Sequence, residues 1–549
     1  STVMLNNNDS VGFSGNTAFT SSSYAYGGAI YGGDYSTVML NNNGSVTFSG
    51  NTASSFSNAY GGAIYGGGYS TITLSNNASV EFSGNMASGS SSVYGGAIHA
   101  SGSLSICNND FVLFEKNVEK VGSAYRLRGI YANGDVISLS AAAGKSIEFR
   151  DSVYIDCGSV NLNADYTDAD GVTHKQQGDI IFTGKYAETH LNEILAADEQ
   201  SRTATADEIL NSRTTRVYAM TNLYGGRLRV EDGAIYQGHG ITAHEGSGAT
   251  VRVQDGVLSH NWYNITLNAD TTLELVGDNN IVGNINLLSG SKLVFDLTEL
   301  QGSTVHSGNL NIAGDVSIDV QFDASTWTEA RGEIKNYILM TTDASVADGS
   351  ALYTISPIDE NWGLTDVQWE DGVLSIAFKN GAEDVTWTNA SGDFRWDNKS
   401  QNWSEGDFRF SYVNGANVTF GAAGAGTIEL EGELSIGQMT VTDAATYILN
   451  FAEGTTLSLS GGLLVNEGSM LTIGSSISAA DVKNEGNLTV QGTLMAASLV
   501  STGQLEVTAM TLTDAAATNT ADGAVSIAGA VDVAGSLTVG GALSGTVVC

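Results

Sequence analysis

The chain has 549 residues, 42% of them hydrophobic, with 67 glycines and a single proline, Pro357. Its 59 acidic residues outnumber its 22 lysines and arginines, giving a net charge of −37. That balance repels phosphate backbones and anionic membrane surfaces and argues against nucleic-acid binding. Three cysteines exclude a disulfide scaffold, leaving only a pairing of Cys107 with Cys157 open. The apolar content is enough to bury a long core, and the short Val/Ile/Leu/Thr segments between Asn-Asn and Gly-Gly pairs read as strands joined by tight turns.

The first third repeats. Tyr26-Gly27-Gly28-Ala29-Ile30-Tyr31 recurs as Tyr60-Gly61-Gly62-Ala63-Ile64-Tyr65 and as Tyr94-Gly95-Gly96-Ala97-Ile98-His99. Phe13-Ser14-Gly15-Asn16 recurs at Phe48 to Asn51 and Phe82 to Asn85, with a decayed copy at Phe114 to Asn117. Leu5, Leu40, Leu74 and Ile106 keep register with these phenylalanines, and each precedes an asparagine pair: Asn7-Asn8, Asn42-Asn43, Asn76-Asn77 and Asn108-Asn109. A parallel β-helix accounts for this pattern, because coils stack about 4.8 Å apart and equivalent residues then form columns. The phenylalanines and the Leu/Ile set are expected inside. Asparagine suits the corners because it tolerates the left-handed region and can bond the same amide one coil away. Paired glycines permit a sharp corner. Each repeat offers three strand candidates, for example Ala29 to Tyr31, Thr37 to Leu40 and Ser45 to Phe48. The Ser/Tyr-rich loops Phe19 to Tyr26, Ser54 to Tyr60 and Ser88 to Tyr94 are expected to project from one face as a binding surface. The motifs themselves fit corner and core chemistry as well as recognition.

At these residues the sequence resembles the polymorphic outer membrane proteins of chlamydiae and their relatives, a family marked by repeated Gly-Gly-Ala-(Ile/Leu/Val) and Phe-x-x-Asn tetrapeptides. The likeness continues at Ala143 to Asp151 and at Gly178 to Gly184, although Arg150 and Ser152 depart from the family's tyrosine and proline, and covers roughly residues 1 to 310. It implies an autotransporter passenger, carried by type V secretion and displayed on the outer membrane or released from it, that adheres to a host-cell receptor or glycan. On that resemblance the adhesion motifs are Gly27, Gly28, Ala29, Ile30, Phe48, Asn51, Gly61, Gly62, Ala63, Ile64, Phe82, Asn85, Gly95, Gly96, Ala97 and Ile98.

Further along, residues 186 to 212 break the strand pattern. Thr189 to Leu195 has apolar residues at helical spacing, and Thr205-Ala206-Asp207-Glu208 reads as a capping box, so a short helical insertion is expected, either protruding or tucked over the core. From Leu223 the coil shortens: Arg229 to Gly233 returns as Arg252 to Gly256, near the minimal coil of a three-sided helix. Tyr337 to Met340 and Val367 to Leu374 resemble linker coils of autotransporter passengers. Trp387, Trp396 and Trp403 suggest either a carbohydrate platform or packing at a coil junction. Residues from Thr427 onward read as a regular, nearly uncharged terminal β-helix.

Candidates for catalysis are Arg126, Arg128 and Asp135, or Arg229 and Arg252 with Asp232 and Asp255, the latter repeating by coil as stacked salt bridges would. His239, His244 and His260 lack companion ligands at metal spacing, and the acidic turn Asp165, Asp168, Asp170, Gly171 departs from EF-hand spacing. No cofactor or metal is expected.

The expectation is an all-β chain, a right-handed three-sided parallel β-helix solenoid of about 20 coils extending on the order of 100 Å. It divides into a repeat β-helix at 1–135, a middle passenger at 136–310 with the helical insertion, linker coils at 311–384, and Trp-bearing and terminal coils at 385–549. No membrane-spanning segment or signal peptide is visible, so the chain reads as a passenger whose export signal and C-terminal barrel lie elsewhere. A non-enzymatic adhesin is the expectation; a self-associating surface coat and a β-helix polysaccharide lyase or hydrolase are the rivals.

Overall fold

A computed structural model describes the chain except for residues 168–170, 261, 299–301, 323–329, 331, 343–345, 348–350, 356–361, 366–367, 398, 412–413 and 546–549. The expected acidic turn lies partly outside the described residues, as does part of the 311–384 segment. The chain is all-β, with two short helices among the described residues, α1 (Ala187–Ala197) and α2 (Ala206–Arg213). Two compact units are formed. One comprises Ser1–Phe322, Ile338–Ser356 and Trp369–Leu374; the other comprises Asp323–Tyr337, Pro357–Gln368 and Ser375–Cys549.

In the first unit, strands pair in parallel with their own repeat one coil away. Leu5 faces Leu40, Leu40 faces Leu74, and Leu74 faces Ile106. Phe13, Phe48, Phe82 and Phe114 stack with ring centroids 4.7–4.8 Å apart and planes within 8°. The last three are fully buried. The column continues past the recognisable motif through Phe149 and Phe182, each 5.0 Å from its predecessor. Coil length varies, with 35, 34 and 32 residues between consecutive asparagines of one column. The ladder continues across residues 135 and 136, Ile106 pairing with Leu139 and Phe114 with Phe149, with register shifts between Cys107 and Phe111.

Each asparagine pair divides its labour. Asn7, Asn42, Asn76 and Asn108 take φ of 52–58°, the left-handed corner that asparagine tolerates best among side-chain-bearing residues. Their neighbours turn inward, and Asn8, Asn43, Asn77 and Asn109 pass Nδ2-to-Oδ1 hydrogen bonds of 2.9–3.0 Å from coil to coil. A second column, Asn16, Asn51, Asn85 and Asn117, does the same at 2.8–2.9 Å. These amides also bond backbone at the turn, so the buried corner carbonyls and amides have partners that a plain turn would leave wanting.

The expectation of three strands per coil is corrected upward in the repeat region. Beyond the strands Ile30–Gly32, Thr37–Asn41 and Ser45–Ser49, the segment expected to loop out pairs as well. Thr17–Thr20, Thr52–Ser55, Met86–Gly89 and Val118–Val121 form one parallel ladder. Tyr24–Tyr26, Asn58–Tyr60 and Val93–Tyr94 form another. Together they make a lateral arm with its own small core of Ala25, Ala53, Ala59, Ala87 and Val93. Alanine allows the two ladders to approach closely, which larger side chains would prevent.

The helical insertion tucks against this arm. Leu191 and Leu195 of α1 pack with Val118, Tyr125 and Leu127. The capping box at α2 forms in full, with Thr205 Oγ1 accepting from the Glu208 amide and Glu208 accepting from the Thr205 amide. Glu208 Oε1 also accepts from the Tyr125 amide at 2.9 Å, and Ser212 Oγ from the Leu127 amide at 2.9 Å. These amides lie on the strand Ala124–Ala132, so α2 supplies the acceptors that another strand would otherwise give.

In the second unit Trp387, Trp396 and Trp403 are buried core, not a platform. Their rings pack edge to face at 4.7–5.1 Å and meet Phe420. Trp387 Nε1 donates to the Gly424 carbonyl at 3.0 Å. Further on, the parallel ladder tightens to 17 residues between hydrogen-bonded neighbours such as Asn484 and Ser501, below the 23-residue coil read as near minimal from sequence.

Candidate binding groove

The repeated tetrapeptides lie mostly inside. Gly61, Gly62, Ala63, Ile64, Gly95, Gly96, Ala97 and Ile98 are buried, as are Phe48, Asn51, Phe82 and Asn85. In the first coil Gly27 and Ile30 are buried, and Gly28 and Ala29 are half-buried. The two glycines have separate reasons. Gly61 sits at φ 65°, where a Cβ would also meet the Ile64 carbonyl oxygen at 2.1 Å; a Cβ on Gly62 would meet the Gly96 carbonyl oxygen at 2.0 Å. The first glycine makes the turn and the second lets adjacent coils touch backbone to backbone.

Flanking these motifs are half-buried and exposed tyrosines, with buried His99 in the third copy. The residue after each motif lies on a main strand, and Tyr31, Tyr65, His99, Tyr131 and Tyr154 stack with centroids 4.8–5.6 Å apart and planes within 15°. The residue before each motif lies on the arm, where Tyr26, Tyr60 and Tyr94 form a second column at 5.5–5.7 Å. The columns meet where arm and main coil converge: Tyr26 lies 4.5 Å from Tyr65, Tyr60 lies 5.2 Å from His99, and Tyr94 lies 4.3 Å from Tyr131. The result is a groove of about 280 Å³ with aromatic walls. Burial pushes the Tyr65 and Tyr131 phenols up to about 12, with nearby tyrosines adding to the effect, so both stay protonated. Burial takes the His99 imidazole down to about 4, so it stays neutral.

Ring contacts continue beyond the repeats from Tyr154 to Tyr218, then His239, then Trp262 and Tyr263. Trp262 is 77% exposed. Only the Ser/Tyr-rich composition of the loops pointed to this surface in the sequence. The pairing of the two columns, and the run through Tyr154 and Tyr218 to Trp262, had no repeated signal.

The charged candidates serve other ends. Glu119 is fully buried: its Oε1 accepts from the Gly95 amide at 2.6 Å, and its Oε2 pairs with Arg126 and, at 3.3 Å, with Arg128. Gly27 and Gly61 give the corresponding amide to the Tyr60 and Tyr94 carbonyls of the next coil. Glu119 thus closes the ladder where the arm's inner strands stop. Arg229 and Arg252 pair in register on adjacent coils. Their partners are Asp179 and Glu231 for the first and Glu274 for the second. Asp232 and Asp255, expected in that ladder, instead occupy left-handed turns at φ 54° and 49°. Cys107 and Cys157 are unpaired thiols. Among the described residues no cluster of three His, Cys, Asp or Glu side chains could hold a metal, and no helix is long and apolar enough to cross a membrane.

Fold and groove together define an all-β chain of parallel coils that carries an aromatic face. Comparison with protein-family models, with curated proteins and with solved structures finds no match.

Proposed function

We propose that this chain is the displayed passenger of an autotransporter-type surface protein and acts as a non-enzymatic adhesin towards host cells. The observation that supports this is the aromatic ribbon from Tyr31 to Trp262, built on one face by ring contacts between successive coils. Aromatic side chains give large contact area for little lost freedom, which suits recognition. Repetition suits weak contacts that add along a surface. The candidate arginines that a polysaccharide lyase or hydrolase would use, Arg126, Arg128, Arg229 and Arg252, are engaged in ion pairs. Attachment to the outer membrane would be through a separate barrel, and the receptor would be a protein or glycan of the host surface.

Beads coated with the full chain should bind cultured epithelial cells, and a Trp262→Ser/Tyr218→Ser variant with unchanged circular dichroism should bind fewer. Bead binding no greater than that of an unrelated coat protein would end this reading. A self-associating coat is the second reading, favoured by Phe19 and Phe56, which meet edge to face at 6.2 Å near the end of the arm while 64% and 68% exposed. Sedimentation velocity separates the two: reversible oligomers without cell binding would support the coat.

A further inference from the structure

The aromatic groove has a chemical character that narrows its ligand. No lysine or arginine precedes Lys116, and the only acids before Glu115 are Asp9, Asp34, Glu81 and Asp110. The groove is lined by tyrosines with His99, Ser101 and Asn133, and no Lys, Arg, Asp or Glu stands among its lining residues. An anionic ligand would find no cation among the lining side chains, and the acids that act on the groove, Asp34 near Tyr26 and Tyr65 and Asp156 and Glu119 near Tyr131, lie outside its lining.

The rings themselves are not platforms. Stacking within each column covers their faces, with interplanar angles of 5–15° from Tyr31 through Tyr131. Contact between columns covers more, as at Tyr26 and Tyr65. A sugar or a side chain seeking a ring face would find it occupied. What remains are ring edges and phenol hydroxyls. Those of Tyr26, Tyr65 and Tyr131 make no hydrogen bond among the described residues, although the side chains are half-buried. Each phenol can donate and accept. The groove therefore offers two-way hydrogen-bonding groups spaced along the coils, Tyr65 and Tyr131 standing two coils apart with His99 between them, with no apolar pocket of the kind that anchors a protein hot spot.

We infer that the groove binds a neutral, linear, hydroxyl-rich glycan lying along the coil direction, held by phenol hydroxyls and not by stacking on ring faces. This rests on the reading of the aromatic face as a binding surface. A glycan backbone meets both requirements: its hydroxyls donate and accept at every residue, and it carries no charge to be desolvated.

The test uses the full chain on an array of neutral and anionic glycans, followed by calorimetry with neutral linear gluco- and N-acetylgluco-oligosaccharides. Saturable binding confined to neutral glycans is expected. A Tyr65→Phe/Tyr131→Phe variant keeps both rings stacked and should melt as the parent does, yet bind about tenfold more weakly through loss of two hydrogen bonds. Equal affinity in that variant, selection of anionic glycans alone, or capture of polypeptide but no glycan would each overturn the inference. Cell binding measured on the same preparations keeps the two ideas apart. Cells bound without any neutral glycan bound would sink the glycan assignment and leave adhesion standing. Glycan bound without cells bound would do the reverse.

Discussion

Asn117 donates its Nδ2 to Oδ2 of Asp151 at 2.7 Å, and its backbone amide gives the same oxygen a second hydrogen bond at 3.0 Å. Four asparagines thus hand a ladder on to a carboxyl, and the ladder stops there. Asp151 is 3% exposed, and its Oδ1 has no hydrogen-bond partner.

Burial raises the Asp151 carboxyl from an ordinary 3.8 to about 7, outweighing the hydrogen bonds from Asn117. The folded chain therefore keeps this proton over a range in which the unfolded chain releases it. The stability this group contributes is full below about pH 4 and is lost as pH rises through about 7. Asp151→Asn should remove that slope and leave the variant more stable at pH 8, by on the order of a few kcal/mol. Its new Nδ2 could bond a Phe carbonyl as those of Asn85 and Asn117 do. Denaturant titrations from pH 4 to pH 8 read both effects; parallel profiles for the two proteins would refute the assignment.

Glu119 is expected to hold the inner end of the arm. Removing its carboxylate leaves Arg128, 3% exposed, with an uncompensated buried charge, and the Gly95 amide without an acceptor. Glu119→Ala should destabilise the first unit by about 3–5 kcal/mol. Glu119→Gln keeps an acceptor for Gly95 while losing the charge. Hydrogen exchange at the Gly95 amide should accelerate in the alanine variant and much less in the glutamine variant. Equal acceleration in both would show that the charge alone matters.

Lys116 takes the place of Gly15, Gly50 and Gly84 in the decayed fourth motif and adopts φ 56°, where those glycines have 62–65°. A Cβ at any of the three would meet nothing within 4 Å, so the strain at Lys116 is in the backbone alone. Its partner Glu193, 2.8 Å away, is a surface pair, and such pairs add little. Lys116→Gly should gain about 1 kcal/mol, seen as a higher melting temperature. A lower melting temperature would mean that the ion pair outweighs the strain.

Much of the coil is legible in the sequence. Phe13, Phe48, Phe82 and Phe114 recur with their asparagines, and a repeated position can be satisfied in a parallel coil only by its own copy one turn away. The capping box at Thr205 and Glu208 was equally plain, because its partners are three residues apart. Phe149 and Phe182 were present as residues but had lost the motif that marks the column.

Sequence alone thus determined the vertical neighbours in this chain: repetition names the residue above and the residue below. It did not determine the horizontal ones. That Tyr26 meets Tyr65, that alanines draw a supposed loop into a paired arm, and that Glu119 and Glu208 close its strands depend on the angle at which arm and coil converge. That angle is set by side-chain packing across the coil, which repetition along the chain does not encode, so only the tertiary structure decided it.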